Sequence, residues 1–209
     1  MKKITLILAF IALGTTIKAQ NNIELTGTYG LSVNGSIDNY YGQVDMEDAA
    51  TYGGNLSVEV KDLTWVEFTY NRSETQFAGI LYKVLFNEYI SGNMVMENYQ
   101  IGGVREFKDG KVKPFSFFKL GGARYYGEGK NRFDSWRFSA NLGLGAKIFF
   151  NDIIGIRLQT SLLMPMTIDG VGIYVGAGSG GVSSGGGATF YVPIVHWDLS
   201  GGLIFRISN

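Results

Sequence analysis

Residues 136–150, WRFSANLGLGAKIFF, alternate without a break. Trp136, Phe138, Ala140, Leu142, Leu144, Ala146, Ile148 and Phe150 share one parity, and Arg137, Ser139, Asn141, Gly143, Gly145 and Lys147 share the other. A two-residue period puts successive side chains on opposite faces of a strand. Strands of soluble sheets run to about five or six residues, whereas a tilted membrane-crossing strand needs about nine to eleven, with aromatics at both ends of its apolar face. The length and the aromatic ends of this segment predict a strand facing lipid. The alternation recurs in residues 23–34, where Ile23, Leu25, Tyr29, Leu31 and Val33 oppose Glu24, Thr26, Thr28 and Ser32. It recurs again in residues 52–61, 64–71, 153–161 and 195–208. Residues 94–107 and 112–126 are interrupted by Glu97, Arg105 and Lys119, but a Lys108-Asp-Gly-Lys111 turn joins them as two aromatic-rich runs. Eight strands are expected.

The connections select the architecture. Three are tight, at residues 61–64, 108–111 and 151–152, and four are long, at about residues 35–51, 72–93, 127–135 and 164–194. Long and short alternate, which predicts an all-β fold: an eight-stranded antiparallel up-and-down transmembrane β-barrel with short turns at one end and long loops at the other. A lipocalin-type soluble barrel is the rival, but it would turn the polar parity outward and the apolar parity around a ligand. Closure leaves no strand edge unbonded in hydrocarbon. An eight-stranded lumen has room for little but side chains, and the inward set is expected to include Glu24, Glu59, Glu67 and Asp198 against Lys119, Arg137, Lys147, Arg157 and Arg206. Near balance of charge predicts a plugged interior whose charges pair.

The first twenty residues place two lysines before an apolar run and Ala19 before Gln20, the pattern of a secretory signal peptide. The expected organisation is a signal peptide over residues 1–19 and one barrel domain over residues 20–209. There is no cysteine, so no disulfide framework and no lipid at a cysteine is expected. Removing Lys2, Lys3 and Lys18 from 18 Lys and Arg leaves 15 against 18 Asp and Glu, a formal charge of about −3 that argues against a nucleic-acid partner. With 30 glycines and three prolines the composition suits one all-β domain.

The last strand carries a further pattern. Ser200-Gly201-Gly202-Leu203-Ile204-Phe205-Arg206-Ile207 reads polar, any, Gly, any, any, aromatic, any, apolar, followed by Ser208 and Asn209. The chain thereby resembles the eight-stranded OmpA/OmpX/opacity-type outer-membrane β-barrel superfamily, over essentially all of the mature sequence. The resemblance implies that Ser200, Gly202, Phe205 and Ile207 form the C-terminal assembly signal. It also implies outer-membrane lipid and the outer-membrane assembly machinery as partners, and location in the outer membrane of a Gram-negative bacterium after signal-peptide cleavage.

Candidate chemistry is sparse. Some barrels of this size modify lipid at the outer rim, which needs a base beside a nucleophile. The only histidine, His196, shares a face with Asp198 and Ser200. Residues two apart on one strand face are about seven ångströms apart, twice hydrogen-bond reach, so a hydrogen-bonded interior histidine is the expectation and no enzyme. Asp45, Glu47 and Asp48 read as a solvated acidic loop, so no metal or cofactor is expected. Gly176, Gly178 and Gly181 satisfy a G-x-G-x-x-G spacing, but more glycine follows where a phosphate-binding turn needs a helix, so the match is coincidental. The glycine-rich stretch 176–187 instead predicts a projecting hairpin with a mobile tip. Its shoulders Ile173, Tyr174, Val175, Phe190, Tyr191 and Val192 are the candidate contacts for an unknown surface ligand. The expected function is a monomeric, non-catalytic structural or surface-interaction protein acting through long extracellular loops; the alternatives are a narrow passive pore and a lipid-modifying rim enzyme.

Overall fold

The structure is a computed structural model describing residues 22–39, 42–82, 87–127, 132–178, 181–191 and 194–207. The expected signal peptide, Val192, and Ser208 and Asn209 lie outside the described residues. Eleven strands follow in order: β1 (Ile23–Val33), β2 (Ser36–Asn39), β3 (Gly42–Met46), β4 (Ala49–Lys61), β5 (Thr64–Tyr82), β6 (Asn87–Glu106), β7 (Val112–Gly127), β8 (Phe133–Phe149), β9 (Ile154–Gly178), β10 (Gly181–Tyr191) and β11 (His196–Ile207). Eight of them, β1, β4, β5, β6, β7, β8, β9 and β11, pair antiparallel with both neighbours and close a barrel through the β1–β11 and β5–β6 ladders.

The register fixes the shape. Direct partners lead from Ile23 through Val58, Val66, Gly103, Phe118, Leu142, Leu162 and Trp197 back to β1 at Val33, ten residues above the start. With about 3.3 Å per residue and about 4.8 Å between strands, that offset tilts the strands by roughly 40°. Two tight turns at the lower end use positive φ, at Leu63 (60°) and Gly110 (120°), where the Asp109 carboxylate accepts from the Gly110 amide.

Side-chain parity holds through the barrel wall. Leu25, Leu56, Phe68, Ile101, Phe118, Leu142, Leu144, Leu158, Leu199, Leu203 and Phe205 are exposed on the outside, while Glu24, Thr26, Asn55, Ser57, Glu67, Thr69, Gln100, Lys119, Asn141, Lys147 and Arg157 are buried inside. Lys119, one of the residues that blurred the sequence pattern, points inward; Glu97 and Arg105 point outward.

The long connections are more ordered than the alternation suggests. Residues 72–82 and 87–93, expected as loop, continue β5 and β6, and residues 36–39 and 42–46 pair as β2 and β3, the second of which pairs with β5. Above the wall both parities of β5 are polar or mixed, Arg72, Glu74 and Gln76 against Ser73, Thr75 and Phe77, so no two-residue signal survives there. The glycine-rich run lies in the two arms of a hairpin: Gly181–Gly187 pair regularly with Gly172–Gly178, and the one shift of register lies between Thr189 and Phe190. Only residues 179–180 of that run fall outside the described residues.

Candidate functional site

The lumen is filled by two ionic layers. In the lower one, Lys147 of β8 donates to Glu24 of β1 at 2.6 Å and to Glu106 of β6 at 2.7 Å, and Arg206 of β11 donates to the other Glu24 oxygen at 2.6 and 3.0 Å. Lys113 reaches Glu106 from below at 3.6 Å. In the layer above, Glu67 of β5 accepts from Lys119 at 2.5 Å, from Arg157 at 2.6 and 3.0 Å and from Ser57 at 2.6 Å. Lys119 donates also to Thr69, and Arg157 to Gln159. Three carboxylates thus face five cations in these layers, and each cation lies over an aromatic ring: Lys119 over Phe117 (4.3 Å), Lys147 over Trp65 (4.4 Å), Arg157 over Phe115 (4.5 Å), and Arg206 (3.9 Å) and Lys113 (5.9 Å) over Phe149. The ring faces supply negative potential that three carboxylates alone do not. Lys147 and Arg157 are completely buried.

Six of the nine expected lumen charges, Glu24, Glu67, Lys119, Lys147, Arg157 and Arg206, come together in this way. The other three stand apart. Glu59 sits at the lower mouth next to the β4 bulge and accepts from Asn22 at 2.5 Å. Arg137 donates to its neighbour's carbonyl, and Asp198 lies with it near Tyr125, above the ionic layers. Glu106 was missed, although it shares parity with Gln100, Gly102 and Val104; its segment ends in Arg105, Phe107 and Lys108, which hide the period. Beneath the plug is an open depression of about 710 Å³ lined by Glu59, Asp62, Asp109, Lys111, Lys113, Phe149, Asp152 and Arg206. In its rim a hydrogen bond from Lys113, helped by the Gly110 amide, holds the Asp109 carboxyl below the usual carboxylate range.

Above the plug, Gln100 bridges Ser139 (3.2 Å) and Asn141 (3.0 Å). The His196 ring is then engaged at both nitrogens. Its Nδ1 donates to Asn34 Oδ1 at 2.7 Å and its Nε2 accepts from the Tyr125 hydroxyl at 3.1 Å, the roles that a neutral imidazole satisfies. Neither Asp198 nor Ser200 is among its partners. Asn34 also ties down the first outer hairpin: its side chain donates to the Glu47 carbonyl and its amide to Asp48. Asp45 accepts from Gln43, and among the described residues no three carboxylates or histidines converge as a metal site. Phe77, Met94 and Met96, packed against Val44, Met46, Ile90, Tyr125 and Phe133, complete the upper mouth.

The outer wall carries a second cluster, which the sequence did not reveal. Where the apolar rows end on β5 to β8, Arg72, Glu97, Arg124 and Trp136 are successive cross-strand partners. Glu97 accepts from Arg72 at 3.1 Å and from the hydroxyls of Tyr70 and Tyr99 at 3.3 Å each, and Arg124 approaches it at 3.6 Å. Arg72 is further bound to Glu74 and Arg124 to Asp134. The Tyr99 and Trp136 rings stack with centroids 5.8 Å apart.

The four expected assembly-signal positions end the β11 ladder. Phe205 is exposed on the outer wall between Leu25 and Ile154, Ile207 stands outward beside it, and Ser200 and Gly202 face the lumen. Ile173, Tyr174, Val175, Phe190 and Tyr191 lie on the paired β9–β10 ribbon.

No protein-family profile and no curated protein matches the chain. Solved structures match its fold. Neisserial surface protein A superposes with a TM-score of 0.57 at 9% identity, over 90% of this chain and 97% of that one. The outer membrane protein OprG from Pseudomonas aeruginosa gives 0.55 at 12% identity, over 92% and 98%. Ail, the attachment invasion locus protein of Yersinia pestis, solved in complex with the heparin analogue sucrose octasulfate, gives 0.50 at 13% identity, over 90% and 100%. The likeness is one of fold: the chain has the closed eight-stranded antiparallel barrel of these outer-membrane proteins.

Proposed function

We propose that this protein is an integral outer-membrane β-barrel with a sealed lumen, acting at the cell surface as a structural or interaction protein without catalysis. The sealed lumen carries the reading. Two ionic layers, buried but for Arg206 and Lys113 at the lower mouth, with aromatic faces between them, support a bore closed to solutes, while the outward belt of Leu, Ile, Val and Phe suits hydrocarbon and not water. A passive pore would require both layers to open, and a rim enzyme would require a base other than His196, whose nitrogens are both occupied. What remains for function is the part above the membrane: the β2–β3 hairpin on the extended β5–β6 pair, and the β9–β10 ribbon. The solved barrel of similar fold that carries a sulfated sugar analogue belongs to an attachment protein, which agrees with a surface role. The barrel itself needs no second copy, and its Ser200 to Ile207 end is read by the assembly machinery.

Two experiments test this. The protein should fractionate with the outer membrane, migrate differently on a denaturing gel before and after heating, and give no steady conductance in a planar bilayer. Large steady conductance would contradict the seal, and release into the soluble fraction with unchanged mobility would contradict the location. Removing residues 179–187 shortens the β9–β10 ribbon without touching the wall, and loop closure costs change slowly with length. Folding should persist while whole-cell adhesion falls; full adhesion by the shortened protein would move the interaction site off the ribbon.

A further inference from the structure

The cluster on the outer wall has no role in sealing the lumen. It lies on the lipid-facing side, one row above Tyr70 and Tyr99 on β5 and β6 and two rows above Leu120 on β7. Below it the outward residues Val66, Phe68, Ile101, Phe118 and Leu120 are apolar and exposed. Its height is therefore that of the lipid headgroups. On the other half of the barrel β11 and β1 present Trp197, Leu199, Leu31 and Val33 towards the same end, with no charge among them. The polar patch belongs to one side only.

Its composition indicates what it meets. Arg72 and Arg124 would suit a phosphate, but each is already bound to a carboxylate that is itself more than half exposed, Glu74 (60%) and Asp134 (51%), and both share Glu97. With Arg132 also acting on Asp134, the charges nearly balance, and a phosphate could reach either guanidinium only by displacing the carboxylate already bound to it, which makes a poor phosphate site. Exposed acceptors and donors side by side instead suit hydroxyl groups, which both donate and accept. Next to them is a flat apolar surface, the Trp136 ring, 56% exposed and backed by Tyr99, with Tyr52 also exposed. An aromatic plate edged by one guanidinium and one carboxylate, Arg124 and Asp134, matches a pyranose, whose C–H face stacks and whose edge hydroxyls hydrogen-bond.

We infer that the Arg72–Glu97–Arg124–Trp136 patch binds the sugar headgroup of a glycolipid in the outer leaflet, with one ring on Trp136 and its hydroxyls on Asp134 and Arg124, and a further sugar unit reaching Arg72 and Glu74 on β5, three strands away. The inference rests on the outer-membrane reading above. Fractionation and heat-modifiable mobility test that reading separately, so an outer-membrane barrel without selective glycolipid retention defeats this inference alone.

The experiment uses the full chain purified in detergent and reconstituted with lipopolysaccharide vesicles or, in parallel, phosphatidylglycerol vesicles, followed by washing and lipid counting per barrel. The wild type should retain lipopolysaccharide selectively. Trp136→Ala should cut that retention about tenfold, the loss expected when a stacking surface of this kind is removed. Glu74→Ala with Asp134→Ala tests the same site on exposed side chains whose loss spares the wall. Loss of charge-assisted acceptors should weaken sugar binding several-fold. A phosphate site would respond in the opposite sense, because removing two carboxylates beside the arginines strengthens anion binding. Increased retention by the double variant, equal losses for both vesicle types, or unchanged retention in every variant would each overturn the proposal.

Discussion

Glu67→Ala is expected to lower the stability of the barrel by about 3–5 kcal/mol, the range for breaking a buried ion pair from one side. Glu67 is completely buried and accepts four hydrogen bonds, from Lys119, from two nitrogens of Arg157 and from Ser57. Truncation leaves two buried cations in one layer with Phe115, Phe117, Thr69 and Gln159 as their remaining company. Those neighbours supply ring faces and dipoles but no charge. Arg157→Ala should cost less, because the carboxylate it leaves behind retains Lys119 at 2.5 Å. Unfolding of the detergent-solubilised protein, followed by loss of the heat-modifiable gel form, gives both midpoints. The ordering is the test: equal midpoints for the wild type and Glu67→Ala would mean that the layer is hydrated and the seal is open.

Most of the residues that build the two ionic layers were legible in the sequence because they lie in segments with a clean two-residue period. Glu24 alternates with Ile23 and Leu25, and Lys147 with Ala146 and Ile148. Parity alone then places them inside. Glu106 escaped notice because the period stops at Glu106-Phe107-Lys108, where the strand leaves the wall for the turn. The extensions of β5 and β6 escaped for a related reason. Above the membrane neither face of a strand meets hydrocarbon, so the sequence is freed from alternation while cross-strand hydrogen bonding continues. The outer-wall cluster was hidden in another way. Arg72, Glu97, Arg124 and Trp136 come from four strands, and only the register makes them neighbours. In sequence, Glu97 reads simply as an interruption of an apolar face.

Gly145 shows how closely lumen packing constrains the wall. On β8 the inward positions run Asn141, Gly143, Gly145, Lys147, so two successive inward side chains are missing just where Phe117 and Phe115 of β7 need room. A Cβ at Gly145 would meet both the Phe115 ring and the Leu158 backbone oxygen of β9. The ring could move only by leaving Arg157, which lies 4.5 Å from its centroid, and the backbone oxygen belongs to the barrel ladder. Gly145→Val therefore forces overpacking, which costs about 1–3 kcal/mol where side chains can adjust and more where the obstacle is backbone. It also disturbs the cation–aromatic contact that helps balance the plug. Gly103→Val is the matched control. It introduces the same side chain on β6, but Gly103 faces outward and a Cβ there meets nothing within 4 Å. A β-branched residue suits an exposed strand position, so that variant should fold as well as the wild type or gain up to about 1 kcal/mol. In refolding into detergent micelles, Gly145→Val should yield little heat-modifiable barrel while Gly103→Val yields a full amount. Equal yields would show that Phe115 does not fill the lumen beside Gly145, and the sealed bore would lose one of its walls.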